Sequence, residues 1–169
     1  DAENAERAKR LATRKQPITA VSEFPLIGAK SVETKPFPDA PERAGLPWHR
    51  DSEVFEALVD RSASAPQRPQ VFLACLGARR DFGPREQFTA NVLQVAGIAH
   101  PSSEGGTASE IVAQVQATGA RIVILCSSAR VYAAQAIEVA SALKEAGVAT
   151  VLIAGRRTEI GADNAAEVI

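Results

Sequence analysis

The residues that could do chemistry gather around one apolar run. Residues 71–76, Val-Phe-Leu-Ala-Cys-Leu, are continuously apolar, which predicts a strand covered on both faces of a parallel sheet. Gly77 follows, and then a charged loop that contains Arg79, Arg80 and Asp81. Open α/β sheets bind ligands where a strand passes into the next helix. The loop is therefore the candidate binding site, and it contains no histidine.

The two cysteines, Cys75 and Cys126, both lie in apolar, strand-like runs and lack the spacing of a metal site. Free cysteine is among the most frequently buried residue types. We therefore predict buried, reduced thiols in a cytoplasmic protein. If the two strands are neighbours the sulfur atoms could lie close together, and packing is the favoured interpretation over redox chemistry.

The two histidines stand apart from the charged loop. His49 follows Trp48 in a proline-rich stretch, where packing or hydrogen bonding is favoured over metal binding. His100 follows a weak second strand near the ligand edge of the predicted sheet, and we interpret it as loop structure. Gly105 and Gly106 lack the lysine and the glycine pattern of a phosphate loop, which favours a flexible turn.

Composition argues against several classes of partner. The 169 residues have a formal net charge of −1 and an isoelectric point near 6.2, which gives no electrostatic reason to expect nucleic acid or an anionic membrane. No apolar run approaches the roughly 20 residues of a membrane span. The chain opens on a charged helical pattern rather than a signal peptide and lacks methionine, so we interpret it as a fragment of a longer protein.

The chain divides near residue 68 into two predicted parts, 1–68 and 69–169. The first part contains a helical pattern, a short extended segment bracketed by prolines, a proline-rich extended linker, and a second, short helix. These four segments are predicted at 1–13, 16–25, 25–48 and 52–63. In the second helix, Asp51-Ser52-Glu53 is the predicted cap. Four apolar residues share one face of it: Val54, Phe55, Leu58 and Val59.

The second part alternates strands with helices. The predicted strands are 71–76, 97–99, 121–126 and 149–154, with a further strand beginning at 168–169. The predicted helices are 85–95, 108–118 and 131–146, with a short turn at 164–167. Such alternation with short connections gives right-handed crossovers and a parallel sheet. The predicted fold is therefore α/β, a flavodoxin-like doubly wound parallel sheet preceded by a helix and an extended linker.

Local signals set two of the predicted helices. The first opens near Arg85, and Phe88, Val92 and Val95 recur along it at the spacing of one helix face. The next has the Thr-x-x-Glu spacing of a capping box from Thr107, and Gly119 ends it.

Together these segments resemble the methylmalonyl-CoA mutase family, specifically the small subunits of its bacterial heterodimers. Residues 14–25 resemble the segment that leaves the family's substrate-binding barrel, and residues 46–50 and 55–61 resemble the linker and the helix after it. The strand ends that resemble those of the cobalamin-binding domain are 71–77, 125–128 and 152–155. The order and spacing of the segments, more than any one of them, make the resemblance specific.

Family members that bind cobalamin carry Asp-x-His-x-x-Gly directly after the first strand. Its histidine is the lower cobalt ligand and its aspartate orients the imidazole. Aligned without gaps, these three positions hold Arg79, Asp81 and Pro84 here, and a shift of one residue puts Ala78 and Arg80 at the first two. Neither alignment supplies an imidazole, and an aspartate oxygen is a poor substitute for it on cobalt.

Two later motifs of the family are also altered. Its Ser-x-Leu motif remains only in part, as Ser127-Ser128-Ala129, and its Gly-Gly pair becomes Gly155-Arg156. The glycine pair lets the nucleotide tail of the cofactor approach the backbone, and we expect the side chain of Arg156 to fill that slot. The resemblance therefore implies a degenerate site. We expect the charges of residues 79–81 to plug the crevice, with Asp81 satisfying the N-terminus of the following helix.

The resemblance implies a non-catalytic, structural part of the small subunit, with no cofactor, metal or catalytic residue of its own. The large subunit of the heterodimer would hold adenosylcobalamin and the acyl-CoA, and the complex would interconvert (R)-methylmalonyl-CoA and succinyl-CoA by a radical rearrangement.

Two alternatives remain open. One is a corrinoid-binding module with a non-standard ligand, which the three charges at 79–81 disfavour because buried, unpaired charges are costly. The other is an unrelated flavodoxin-like regulator, such as a receiver domain. A receiver needs an acidic cluster after its first strand and an aspartate at the end of its third, where this chain has Cys126-Ser127.

Overall fold

The computed structural model of the chain describes residues 2–26, 28 and 50–160. The elements are α1 (Ala2–Ala12), α2 (Glu53–Ala63), β1 (Phe72–Cys75), α3 (Arg79–Val95), α4 (Ala108–Thr118), β2 (Ile122–Cys126), α5 (Ala129–Glu145), β3 (Thr150–Ile153) and a final 3-10 helix, η1 (Arg157–Ile160). Most of the predicted linker, with His49, and the predicted turn and strand at 164–169 lie outside the described residues. In the described part, no helix is long and apolar enough to cross a membrane.

The three strands form a parallel sheet in the order β1-β2-β3. Cys75 of β1 lies opposite Cys126 of β2, and Val123 of β2 lies opposite Val151 of β3. Each connection between neighbouring strands contains at least one helix, as right-handed crossovers require. The α/β class and the parallel sheet predicted from the sequence are confirmed.

The predicted strand at 97–99 is reduced to isolated parallel bridges on the other edge of β1, which join Gln70 to Ala99 and Leu73 to Ser102. The N–H of Leu73 donates to the carbonyl of Pro101 at 2.8 Å. Pro101 has no N–H to return to the neighbouring strand, so the ladder is interrupted at this residue. The segment still places its backbone beside β1, and the chain therefore reverses its direction across the sheet between β1 and β2.

The two faces of the sheet carry separate apolar cores, because successive strand residues point in opposite directions. One face packs against α4 and α5 and includes Phe72, Leu125 and Tyr132, which are at most 2% exposed. The other packs against α3 and includes Leu73 and Phe82, which are fully buried. Helices on both faces are what a doubly wound sheet requires.

Helix α3 begins at Arg79, six residues before the predicted start at Arg85, so the predicted loop at 79–84 is wrong. Pro84 lies inside the helix and removes one backbone hydrogen bond, at a cost of about 3 kcal/mol. Burial of the Phe82 ring offsets roughly 1.5–3 kcal/mol of this. The carboxylate of Asp81 also accepts the N–H of Ala78 at 3.2 Å, a cap worth about 1 kcal/mol.

The buried face of α3 also differs from the predicted one. Phe88 is 66% exposed and Val92 is 45% exposed, whereas Thr89 and Leu93 are buried. The spacing of Phe88, Val92 and Val95 correctly indicated a helix, but only Val95 of the three is buried. Sequence spacing alone could not reveal that Phe82 belongs to the same helix and anchors it.

Of the N-terminal segments that the structure describes, the two predicted helices are present and the predicted extended segment is not. Residues 16–25, predicted to be extended, contain a tight turn instead. The hydroxyl of Ser22 accepts the N–H of Ile18 at 2.9 Å, and the N–H of Ser22 donates to the carbonyl of Ile18 at 2.9 Å. Ala20 and Phe24 have left-handed backbones, with φ of 64° and 51°. A serine that closes a turn with its own side chain explains the departure.

Helix α2 begins at Glu53, close to its predicted start, but Ser52 does not cap it by a side-chain bond to the backbone. The hydroxyl of Ser52 donates instead to the carboxylate of Glu56 at 2.7 Å. Of the four apolar residues predicted to share a face, only Phe55 is buried, and Val54 is 71% exposed.

The two cysteines are neighbours across β1 and β2 and are fully buried as free thiols, which confirms their predicted burial. Burial raises the pKa of Cys75, and it raises the pKa of Cys126 to about 11. Thiolate, the reactive form, is therefore scarce at neutral pH. We expect neither thiol of the native protein to react with Ellman's reagent at pH 7.5, and both to react after unfolding. Fast reaction of either thiol in the native protein would contradict this burial.

Candidate functional site

The candidate site lies at the carboxyl ends of β1 and β2, where the order of the strands reverses. The turn after β1 uses Gly77 in a left-handed conformation, with φ of 80°. The hydroxyl of Ser127, after β2, donates to the carbonyl of Leu76 at 2.7 Å and is fully buried. The N–H of Leu76 donates to the carbonyl of Cys126 at 3.0 Å. These bonds join the ends of β1 and β2 directly, so the protein itself satisfies these backbone groups and leaves no gap between the two strand ends.

Two of the charged residues predicted to plug this crevice lie on the surface instead. Arg79 forms ion pairs with Glu86 at 3.4 Å and Glu104 at 3.6 Å, and its guanidinium lies 5.5 Å from the centre of the Phe82 ring. Its side chain is 66% exposed. Arg80 is also exposed, and no ion pair of it is seen within the described part of the chain. Neither guanidinium enters the crevice, so the predicted plug is wrong.

Asp81 caps α3, as predicted, although the helix starts earlier than expected. Its carboxylate accepts the N–H of Ala78 at 3.2 Å and pairs with Arg130, at the start of α5, at 3.1 Å. Burial acts to raise the pKa of Asp81, but the hydrogen bonds from Ala78 and Arg130 outweigh it and hold the pKa below its usual value. The carboxylate is therefore ionised at neutral pH and already fully engaged by the protein.

A second part of the site is a slot beside Gly155, at the end of β3. The slot opens into a cavity of about 540 Å³ between α3, the end of β3 and η1. Arg85 of α3 reaches into it, and its Nη1 atom lies 2.6 Å from Oε2 of Glu159. A Cβ atom placed on Gly155 would lie only 2.5 Å from that Nη1. The guanidinium therefore occupies the space that the glycine leaves open.

Arg156, which was predicted to fill this slot, does not. It is exposed, and only its backbone N–H reaches the carboxylate of Glu159, at 3.4 Å. Arg85 fills the slot because α3 brings its Nη1 atom to 2.6 Å from Glu159, whereas the exposed Arg156 lies at the rim of the cavity between β3 and η1. Sequence reasoning missed Arg85, since its partner Glu159 lies 74 positions further along the chain.

Tyr132 forms the wall of the slot opposite Gly155, and it too was missed. Its hydroxyl lies 2.8 Å from the carbonyl of Leu125 and 3.2 Å from that of Ala154, and it accepts the N–H of Ser127 at 2.8 Å. It thus ties the ends of β2 and β3 together. Burial raises the pKa of Tyr132 to about 12, so the phenol stays protonated at neutral pH. The ring lies 5.1 Å below the guanidinium of Arg85.

The ion pair in the slot predicts a pH dependence of stability. The hydrogen bond from Arg85 is the main cause that lowers the pKa of Glu159 below 4.5. A carboxyl whose pKa is depressed by folding adds stability above its unfolded pKa, and this stability is lost as the pH falls through the folded value. We expect Glu159→Gln to be less stable than the parent at pH 7, and the difference to shrink below about pH 4.

Urea unfolding at pH 7, 5, 4 and 3 measures this difference. Glu138→Gln is the matched control, because Glu138 is exposed on α5 with no ion pair seen in the described part. An equal loss of stability at all four pH values would contradict a contribution from the charge of Glu159.

The remaining candidates have structural surroundings. Nδ1 of His100 lies 3.0 Å from the carbonyl of Ile98, and its Nε2 lies 3.5 Å from the side chain of Gln94. Gly105 was predicted to lie in a flexible turn, but its backbone packs closely against the turn after β1. A Cβ atom at Gly105 would lie 2.5 Å from the carbonyl oxygen of Gly77. Across residues 2–26, 28 and 50–160, no group of three histidine, cysteine or acidic residues could hold a metal ion.

Comparison with known proteins gives a consistent result, although no family model matches the chain. It is 64% identical over 167 residues to the methylmalonyl-CoA mutase small subunit of Propionibacterium freudenreichii subsp. shermanii, which covers 99% of this chain and 26% of that protein. It is 44% identical over 160 residues to the methylmalonyl-CoA mutase small subunit of Streptomyces virginiae, covering 90% of this chain and 25% of that protein.

A third relative is more distant. The chain is 31% identical over 164 residues to a probable methylmalonyl-CoA mutase small subunit of Mycobacterium tuberculosis, with 93% of this chain and 25% of that protein covered. The chain thus spans about a quarter of the length of these relatives. Identity of this extent along nearly the whole chain establishes common descent between this chain and the matching quarter of these methylmalonyl-CoA mutase small subunits.

Proposed function

We propose that this chain is a structural, non-catalytic part of the small subunit of a heterodimeric methylmalonyl-CoA mutase. The names of its relatives support the assignment to a small subunit. The non-catalytic role is supported chiefly by one observation. The carboxyl edge of the sheet is filled by the protein's own side chains, with Arg85 against Gly155 and Ser127 bonded to Leu76.

The residues at this edge do not fit cobalamin. The position that carries the axial histidine in cobalamin-binding relatives holds Asp81, whose carboxylate is engaged by Ala78 and Arg130. The slot expected to receive the nucleotide tail contains the guanidinium of Arg85. We therefore assign no cofactor to this chain and expect adenosylcobalamin in the large subunit.

In this proposal the large subunit also binds the acyl-CoA, and the complex interconverts (R)-methylmalonyl-CoA and succinyl-CoA in the cytoplasm as part of propionate metabolism. This chain contributes folding stability and subunit packing. The division into a linker part, 1–68, and a cobalamin-domain-like part, 69–169, stays a prediction.

The alternative of a corrinoid module with another ligand has no observation in its favour. Both ring nitrogens of His100 have protein neighbours, and the ring lies beyond the edge of β1 away from the slot.

The experiment is a titration of the protein with adenosylcobalamin and with hydroxocobalamin, followed by calorimetry and by the corrin absorption spectrum. A functional site would have a dissociation constant that is roughly micromolar. We expect no heat of binding and no spectral change at cobalamin concentrations up to about 100-fold above that value. Micromolar binding with a shifted spectrum would overturn the proposal, and His100 would then be the first residue to replace.

Introducing the missing imidazole should not restore cofactor binding. We expect Asp81→His to show no corrin spectral change, because Arg85 still fills the slot beside Gly155. The variant should also lose stability, since it removes the cap on Ala78 and the ion pair with Arg130. Asp81→Asn is the matched control, because it removes the charge without supplying an imidazole. Cobalamin binding by Asp81→His alone would show that the slot is open.

A further inference from the structure

The slot beside Gly155 has the form of a binding site for a planar cation. Its wall is the ring of Tyr132, fully buried and 5.1 Å from the guanidinium carbon of Arg85. At its end stands the carboxylate of Glu159, 2.6 Å from Nη1 of Arg85. A planar cation between an aromatic face and a carboxylate satisfies both by cation–π attraction and by charge-assisted hydrogen bonding.

The open side of the slot exists because Gly155 has no side chain. A Cβ atom at that position would lie 2.5 Å from Arg85, 3.0 Å from the carboxylate of Glu159 and 3.3 Å from the ring of Tyr132. Thus three groups from α3, α5 and η1 converge on one residue of the backbone. The slot also opens to solvent, since the side chain of Arg85 remains 31% exposed and the cavity of about 540 Å³ adjoins it.

We propose that the slot is a latent binding site for planar aromatic cations, and that the guanidinium of Arg85 occupies it in place of an external ligand. Arg85 lies on α3, and its guanidinium takes the position that an external planar cation would occupy between Tyr132 and Glu159. The inference rests on the proposed function, because a chain that binds no cofactor can keep the guanidinium of Arg85 in this slot. It deepens that proposal by naming Arg85, rather than Arg156 or the charges at 79–81, as the residue that closes the site.

The test removes the internal occupant and offers an external one. In the intact protein that carries this chain, Arg85→Ala should bind benzamidinium, whose ring can stack on Tyr132 and whose amidinium can pair with Glu159. We expect its affinity, measured by calorimetry, to exceed that of the parent by about tenfold or more. The double variant Arg85→Ala, Glu159→Gln should lose most of that gain, because the carboxylate is gone.

Arg156→Ala is the matched control, since it removes an arginine from the rim of the same cavity without vacating the slot. We expect it to bind benzamidinium no better than the parent. Circular dichroism and urea unfolding establish that each variant is folded. If Arg85→Ala does not fold, Arg85→Lys replaces it, because lysine keeps the charge but lacks the planar group that fills the slot. A smaller gain in affinity is then expected.

The proposal is overturned if the folded Arg85 variant gains no affinity, or if Arg156→Ala gains as much. It is also overturned if the parent already binds benzamidinium as tightly as Arg85→Ala. Failure of the proposed function has a separate signature, which is binding of adenosylcobalamin by the parent protein. If the parent does not bind corrinoid and Arg85→Ala does not bind benzamidinium, this inference is wrong while the proposed function stands.

Discussion

Replacing Phe82 with alanine should lower the free energy of unfolding by about 3–5 kcal/mol, the usual cost of emptying a buried phenylalanine site. The ring is fully buried in the core between α3 and the sheet, where it belongs to the same cluster as Leu73 and Cys75. It also lies in the first turn of α3, so its loss should release the start of that helix. Unfolding in guanidinium chloride, monitored by circular dichroism, measures the difference in free energy of unfolding between the variant and the parent.

Phe88→Ala is a matched control for this substitution. It lies on the same helix and has the same side chain, but it is 66% exposed. We expect its free energy of unfolding to change by no more than about 0.5 kcal/mol. The sequence pattern alone favoured Phe88 as a core residue, so the pair separates the two assignments of the helix face. A larger loss at Phe88 than at Phe82 would restore the face predicted from spacing.

The parts of the fold that were predictable are those set by short-range signals. The apolar runs predicted β1, β2 and β3 to within one residue at each end. The capping box was predicted from spacing alone, and the N–H of Thr107 indeed donates to the carboxylate of Glu110 at 2.8 Å. Gly119 ends α4 in a left-handed conformation, with φ of 68°. Each signal involves residues within one turn of one another.

The parts that were not predictable depend on contacts between distant residues. Pro84 and the run of charges at 79–81 were predicted to be a loop, but the burial of Phe82 and the cap that Asp81 provides hold this segment in a helix. The ion pair between Asp81 and Arg130 spans 49 positions, and a single sequence offers no sign that these two residues meet. Tertiary packing thus overrode the local preference of this segment.

The candidate site divides along the same line. The absence of an imidazole after β1 was visible in the sequence, because it depends only on which residue types are present. The identity of the group that fills the slot was not, because Arg85 and Arg156 are equally long and cationic. The direction of α3 decides between them, since it brings Arg85 within 2.6 Å of Glu159. Residue type therefore predicted an altered site, and geometry was needed to find which side chain occupies the slot beside Gly155.

Gly105→Ala should be among the most damaging single substitutions at this edge of the sheet. A Cβ atom at Gly105 would lie 2.5 Å from the carbonyl oxygen of Gly77, far inside van der Waals contact with a backbone atom. Its φ of 92° is also one that residues with a Cβ rarely adopt. Overpacking costs roughly 1–3 kcal/mol and a left-handed backbone about 1–2 kcal/mol. We therefore expect a total loss of about 3 kcal/mol in the free energy of unfolding.

Gly147→Ala separates the two causes. Gly147 has a nearly identical φ of 90°, but nothing lies within 4 Å of the position its Cβ would take. It should therefore lose only the backbone contribution, about 1–2 kcal/mol. The difference between the two variants in urea unfolding measures the contact between Gly105 and Gly77. Equal losses would mean that the segment around Gly105 moves aside at little cost. They would also mean that this segment does not hold the turn at Gly77 in place.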